Sequence, residues 1–172
     1  MKTRHEQRNF LQKLGAAFVS SRFGGWYMTR IAPHMDRLLL RISKGRWSTI
    51  AVGGEVTALL TTIGAKSGQP RQTPLAYFTD GERIILVASN GGRKTHSAWY
   101  YNLRANPQAQ ITILGETKTY LAREATGEER AILWQKAVDF YPGYAKYQER
   151  ASNRKIPVMV MTPISEVIDE TK

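Results

Sequence analysis

The sequence predicts an α+β, mainly β domain: a six-stranded antiparallel barrel behind a basic helical N-terminal segment. Three observations predict it. Six short runs rich in β-branched and aromatic residues stand at Val56–Ile63, Gln72–Thr79, Arg83–Ser89, Ala109–Leu114, Lys118–Glu124 and Ile156–Thr162. Two tight-turn pairs, Asp80-Gly81 and Gly115-Glu116, join neighbouring runs as antiparallel hairpins require. Only short helical stretches interrupt the strands, so the regular strand–helix alternation of a parallel sheet is missing.

The elements follow in chain order. In residues 8–22, Phe10, Leu11, Leu14, Ala17 and Phe18 form one helical stripe, with Arg8, Lys13 and Arg22 off it. Gly24-Gly25 breaks that helix. A second starts near Pro33, which suits a first-turn position, and carries Met35, Leu38, Leu39 and Ile42 at three- and four-residue steps. The first fifty residues hold ten Lys/Arg against two acids, a net +8 of the chain's +11. Residues 1–50 are therefore read as a basic segment packed on or beside the barrel, and 51–172 as the barrel domain. Its two amphipathic helices have two readings: their apolar faces cover the core, or they meet an anionic membrane surface. Within the barrel domain, helices are expected at His96–Ala105, Glu128–Tyr141 and Tyr144–Ala151. Thr126-Gly127-Glu128-Glu129 reads as a capping box opening the middle one.

The 172 residues contain no Cys and three His, His5, His34 and His96, with no two at ligand spacing. Disulfides, thiolate chemistry and Cys metal sites are excluded, and no metal site is expected. No apolar run is long enough to cross a bilayer, and the start of the chain lacks a signal-peptide core. A cytoplasmic location is expected, peripheral on the inner face of the cell membrane if the basic helices meet lipid.

Two loops attract attention. The stretch from Gly64 to Arg71 holds Lys66, Ser67, Gly68 and Arg71 where a hairpin could turn in two residues. Small residues expose backbone N–H groups, Lys66 and Arg71 add charge, and Ser67 adds a hydroxyl; together these suit a phosphate. The competing reading is a solvated loop that happens to be basic. The spacing is not that of a Walker loop, and no long helix follows. Ser89-Asn90-Gly91-Gly92-Arg93-Lys94 ends a strand and leads into a helix, so it is a second candidate anion site. Tyr141, Tyr144 and Tyr147 recur every three residues, either as half-buried packing or as a wall over a flat substrate. His96 reads as a cap or surface residue before a catalyst. No carboxylate pair, Ser-His-Asp set or metal cluster stands out, so an enzyme built on this chain draws its chemistry from a cofactor.

Five blocks together carry a resemblance: L-L-T-T-x-G-x-K-S-G-x-P-R-x-x-P-L at Leu59–Leu75, V-A-S-N-G-G at Val87–Gly92, A-W-Y-x-N-L-x-A-N-P at Ala98–Pro107, Y-P-x-Y-x-x-Y at Tyr141–Tyr147 and I-P-V-M-V at Ile156–Val160. The chain resembles the deazaflavin-dependent nitroreductase family over about 110 residues, with the blocks in the same order. The resemblance implies a split β-barrel like that of flavin mononucleotide-binding oxidoreductases, holding coenzyme F420. It implies hydride transfer from the reduced deazaflavin to a small-molecule acceptor: a quinone, a nitroaromatic or an activated enone.

By the same match, Lys66, Ser67, Gly68 and Arg71 fall at the cofactor's phosphate and acidic tail, and Thr73 and Pro74 beside its ring. Ser89, Asn90, Gly91, Gly92, Ala98, Trp99 and Asn102 line the ring and its side chain. Tyr141, Tyr144 and Tyr147 face the substrate; Ser89, Tyr144 and Tyr147 become the candidate proton donors. Asn90 stands where some members carry Lys, a charge Lys94 would replace, and Ala76 stands where some carry an aromatic. Related split barrels often pair, so a homodimer and a monomer both stay open. The alternatives are a flavin mononucleotide enzyme on the same barrel, or a non-catalytic basic module. Nucleic acid is not an expected partner, because the basic excess lies in the N-terminal helices and the aromatics lie elsewhere.

Overall fold

A computed structural model describes residues 57–164 of the protein. The two expected N-terminal helices, the boundary at residue 50 and Val56 lie outside the described residues. Within them, the strands are β1 (Thr57–Ile63), β2 (Pro70–Asp80), β3 (Arg83–Val87), β4 (Gln108–Ile113), β5 (Glu116–Glu124) and β6 (Val158–Pro163). The helices are α1 (Ala98–Ala105), α2 (Gly127–Phe140) and α3 (Gly143–Arg150), with a single 3-10 turn at Asn90–Gly92. All strand pairs are antiparallel, and the order β1-β2-β3-β6-β5-β4 closes through a β4–β1 pairing. The expected six-stranded antiparallel barrel is the observed fold.

Side-chain alternation explains the layers. Along β3, Ile84 and Leu86 join one buried cluster with Leu60, Ile111, Met159 and Met161, while Ile85 faces the other way. Along β6, Met159 and Met161 share the first cluster, and Val158 and Val160 join Ile85 under Leu133 of α2. Both faces of β3 and β6 are thus covered, which is why their sequences read as unbroken apolar runs. Trp99, Tyr100 and Leu103 of α1 complete the first cluster. Val87, Ala137, Tyr144, Ala151 and Ile156 form a third, beneath α2 and α3.

The barrel is split at β2. Residues Thr57–Ile63 of β1 pair with Pro70–Ala76, whereas β3 pairs only with Tyr77–Asp80. The first half of β2 therefore has a partner on one side. That half holds Pro70 and Pro74, which cannot donate to a second ladder and are tolerated where none is required.

Two local expectations differ from the structure. Thr126 is the N-cap of α2, yet no side-chain capping hydrogen bond forms. The Glu129 carboxylate instead accepts from Arg123 at 2.6 and 2.7 Å and from Arg83 at 3.1 Å. A charged donor outcompetes the backbone N–H of a capping box. Helix α1 starts at Ala98 rather than His96, with Ser97 extended at its N-cap.

Candidate functional site

The half-paired portion of β2, the β1–β2 loop and α1 enclose a cavity of about 870 Å³. Of the residues singled out in the sequence, Lys66, Ser67, Arg71, Thr73, Pro74, Ala98, Trp99 and Asn102 line it, with Gly64, Ala65, Gln72 and Tyr101. Gly68 belongs to the same loop without lining the cavity.

The loop is narrower than expected. Pro70 and Arg71 are already in β2, leaving Gly64–Gln69 as the connection. Gly64 donates its N–H to Gln69 O at 2.9 Å, and Gly68 donates to Gly64 O at 2.8 Å. Gly68 has φ +64, in the left-handed region that glycine enters at little cost. The Ser67 hydroxyl is folded over the turn: it accepts from Gln69 N–H at 3.3 Å and from the Arg71 guanidinium at 3.4 Å. A Cβ at Gly64 would meet that hydroxyl at 2.5 Å and Gln69 O at 3.3 Å, so a larger residue there would displace the Ser67 side chain from the turn. Among the described residues, neither Lys66 nor Arg71 pairs with a carboxylate.

Asn102 fixes this loop to α1. Its amide oxygen accepts from Ala65 N–H at 3.0 Å, and its amide nitrogen donates to Thr62 Oγ1 at 3.0 Å. Asn102 and Thr62 are both buried, so each would be costly to leave unpartnered. The sequence placed Asn102 beside a cofactor; the geometry shows it bonded to the end of β1 and to the loop.

The second expected anion site stands apart from the cavity lining. Ser89, Asn90, Gly91, Gly92 and Lys94 belong to a compact turn in which several N–H groups are taken internally. Ser89 donates to Val87 O, Gly92 to Ser89 O and Arg93 to Asn90 O, at 2.8, 3.0 and 3.2 Å. Asn90, at φ +50, donates its side-chain amide to Thr95 O at 2.9 Å. The room at Gly92 is taken by α3: a Cβ there would lie 2.7 Å from Tyr147 O.

The three tyrosines gather on that side of the molecule. Tyr141, Tyr144 and Tyr147 form a mutual ring cluster with centroids 5.3 to 6.2 Å apart. Tyr144 is buried, while Tyr141 and Tyr147 are half-buried with hydroxyls 3.4 Å apart. The structure thus brings the sequence-named residues together in two groups, one on the cavity and one where the turn meets α3.

Sequence reasoning passed over Arg154 and read His96 only as a cap or surface residue. Arg154 donates to Arg93 O at 3.0 and 2.8 Å, to Ser89 O at 2.8 Å and to Ala88 O at 3.5 Å. It also lies 3.2 Å from His96 Nδ1. All five guanidinium donors have an acceptor. Burial, and then the neighbouring Arg154 charge, lowers the His96 pKa. A guanidinium can only donate, so in this contact Nδ1 is the acceptor, which leaves the ring proton to Nε2. His96 stacks on Tyr100 at 4.7 Å and meets Tyr101 edge-on at 5.8 Å. These contacts link positions 58 residues apart, and no local pattern announces them.

A family model described as F420H(2)-dependent quinone reductase matches residues 36–163. The chain belongs to that family. An F420H(2)-dependent quinone reductase of Mycobacterium tuberculosis is 35% identical over 143 residues, covering 80% of this chain and 95% of the relative. A solved structure described as an F420-H2-dependent reductase is 40% identical with a TM-score of 0.56, covering 61% of this chain and 92% of that one. Another, described as a domain-swapped dimer, is 35% identical with a TM-score of 0.58 and covers 74% of this chain and 96% of that one.

Membership of the F420H(2)-dependent quinone reductase family makes the protein an oxidoreductase and selects coenzyme F420 over flavin mononucleotide. The donor set fits such a group: an apolar cleft lined by Pro74 and Trp99 for a flat ring, with two cations, Lys66 and Arg71, that have no carboxylate partner among the described residues for an acidic tail. Among the described residues no helix is long and apolar enough to cross a membrane, and no cluster of His, Cys, Asp and Glu could hold a metal ion.

Proposed function

We propose that the protein is a quinone reductase that binds reduced coenzyme F420 in the cavity between β2 and α1. The observation that supports it is the pairing of an apolar cleft with a rim whose cations, Lys66 and Arg71, have no carboxylate partner among the described residues. The bound cofactor supplies a hydride from ring carbon 5. Lys66 and Arg71 hold its phosphate and acidic tail, each through charge-assisted bonds of roughly 1.5–3 kcal/mol. The Ser67 hydroxyl and the left-handed turn at Gly68 shape that rim. Thr73, Pro74, Ala98 and Trp99 form the walls for the ring and exclude water from it. Asn102 keeps the loop at a fixed distance from α1.

The reduced acceptor needs a proton or a donor for its developing charge. The Ser89 hydroxyl and the Tyr147 phenol are assigned that task, since both are half-buried while Tyr144 is buried. Asn90, Gly91, Gly92 and Lys94 support the turn that carries Ser89, and Tyr141 steadies Tyr147. Nitroaromatics and activated enones share the electrophilic character of a quinone and are the expected secondary acceptors. The reading extends to pairing of two copies, supported by the relative described as a domain-swapped dimer. It also extends to contact of residues 1–50 with anionic lipid, supported by their net +8. Oxidation of F420H2 by menadione, followed by the return of deazaflavin absorbance, tests the activity. Turnover with menadione is expected, and its absence with menadione, nitroaromatics and enones alike overturns the reading.

A further inference from the structure

Tyr101 is a large aromatic side chain that is 48% exposed, yet it lines the cavity. Its neighbour on the same helix, Trp99, lines the same cavity and is only 5% exposed. An exposed tyrosine on a helix ordinarily samples several rotamers and offers no fixed surface. Here the ring is buttressed on two sides. His96 meets it edge-on at 5.8 Å with an interplanar angle of 83°, and Tyr100 lies 5.6 Å away at 63°. Both supports are themselves anchored: Tyr100 donates its hydroxyl to Glu124 at 2.8 Å, and His96 accepts from Arg154. The result is a pre-oriented aromatic face at the solvent side of the cavity.

We propose that Tyr101, held by the His96–Arg154 and Tyr100–Glu124 contacts, is the residue that recognises the planar ring of the quinone acceptor. This rests on the reading of the cavity as the F420 site. A reductase that passes hydride between two bound molecules must admit the acceptor while the cofactor is seated, so the acceptor's wall must be reachable from solvent. Trp99 and Pro74 are buried and suit the group that stays. Tyr101 is exposed and suits the group that comes and goes. Offset or edge-on contact with a flat ring, and a phenol able to donate to a quinone carbonyl, favour quinoid rings over flexible chains. His96 and Arg154 act through Tyr101 and are positioning residues.

The test uses the full chain with the substitutions Tyr101→Leu, Tyr101→Phe and His96→Leu. Three quantities are measured: the KM for menadione, calorimetric binding of menadione to the cofactor-free protein, and fluorescence quenching of F420. Tyr101→Leu should raise the menadione KM and weaken its direct binding by roughly three- to tenfold, with F420 affinity within about twofold of wild type. Tyr101→Phe should recover most of the loss, and His96→Leu should fall between. Unchanged menadione KM and binding in Tyr101→Leu overturns the proposal, and so does loss of F420 affinity in step with acceptor use. A wild type that fails to bind F420 sinks the cofactor reading instead, and the calorimetric comparison still decides the role of Tyr101.

Discussion

The two ends of β2 use charge in opposite ways. At its C-terminal end, Asp80 accepts from Arg83 and from Lys136, the latter at 2.6 Å, and Arg83 continues to Glu129, which also holds Arg123. Every charge in that group has an opposite within the fold. At the N-terminal end, Lys66 and Arg71 flank a cavity and no carboxylate answers them among the described residues. Each end has one ladder partner among the described residues, β3 at the first and β1 at the second. Completed ion pairs brace the barrel at the first end; at the second, cations without a carboxylate partner among the described residues line a cavity. The contrast teaches that charge alone marks neither end. What separates them is whether the fold itself supplies the counter-charge.

Replacing both Lys66 and Arg71 with Ala should produce the largest effect on function. F420 affinity should fall by about one to two orders of magnitude, more for forms with longer glutamate tails, since two charge-assisted contacts are lost. The melting temperature should barely move, because neither cation is paired within the described fold. Loss of stability in that variant would erase the distinction between the two ends.

Asn102→Leu should act on both quantities at once. It leaves buried Thr62 and the Ala65 N–H without their partner, at a cost of about 2 kcal/mol or more of stability by denaturant unfolding. It should also weaken F420 binding by freeing the loop. Unfolding at the wild-type midpoint would show that the loop is held by something else.

At the other end, Glu129→Gln should lower stability by about 1 kcal/mol, the scale of partly exposed pairs, and leave menadione turnover intact. The same network sets a pH dependence. Hydrogen bonds from Lys136, then Arg83, lower the pKa of Asp80, and Arg123, then Arg83, lower that of Glu129. Groups with depressed folded pKa values stabilise the protein above their unfolded values, and that stability is lost as pH falls through the folded ones. Acid unfolding followed by circular dichroism should therefore begin below the ordinary carboxylate range, and Glu129→Gln should make it shallower. The smallest effect is expected for Tyr144→Phe, whose ring is packed in the core: turnover should fall by less than that of Tyr147→Phe. A larger fall in Tyr144→Phe would return Tyr144 to the acceptor site.

How much of this was legible in the sequence depends on the range of each interaction. The strands were, because runs of β-branched and aromatic residues and the Asp80-Gly81 turn are local signals. The grouping of Lys66, Arg71, Thr73, Pro74, Ala98 and Trp99, which the structure places on one cavity, was, through the loop's residue types and the family pattern. The start of β2 was not: Pro70 reads as a breaker unless one knows that this half-strand has a single partner. The capping box at Thr126 failed because Glu129 is claimed by Arg123 on β5. Gly92 was named with the cofactor ring through the family match, while in the structure the backbone of α3 packs against it. Asn102's bond to Thr62, Arg154's clamp on the Ser89 turn and the anchoring of His96 by Arg154 and of Tyr100 by Glu124 all join residues distant in sequence, where no periodicity or spacing reports them.

The central claim is that the N-terminal end of β2, with the β1–β2 loop, holds an anionic deazaflavin. The most direct measurement is a fluorescence titration of F420 into the wild-type protein at low and high salt. The account predicts saturable quenching whose affinity falls steadily as salt rises, because the cations that meet the cofactor's phosphate and tail are exposed and screened. Quenching that is absent, or an affinity indifferent to salt, would contradict it.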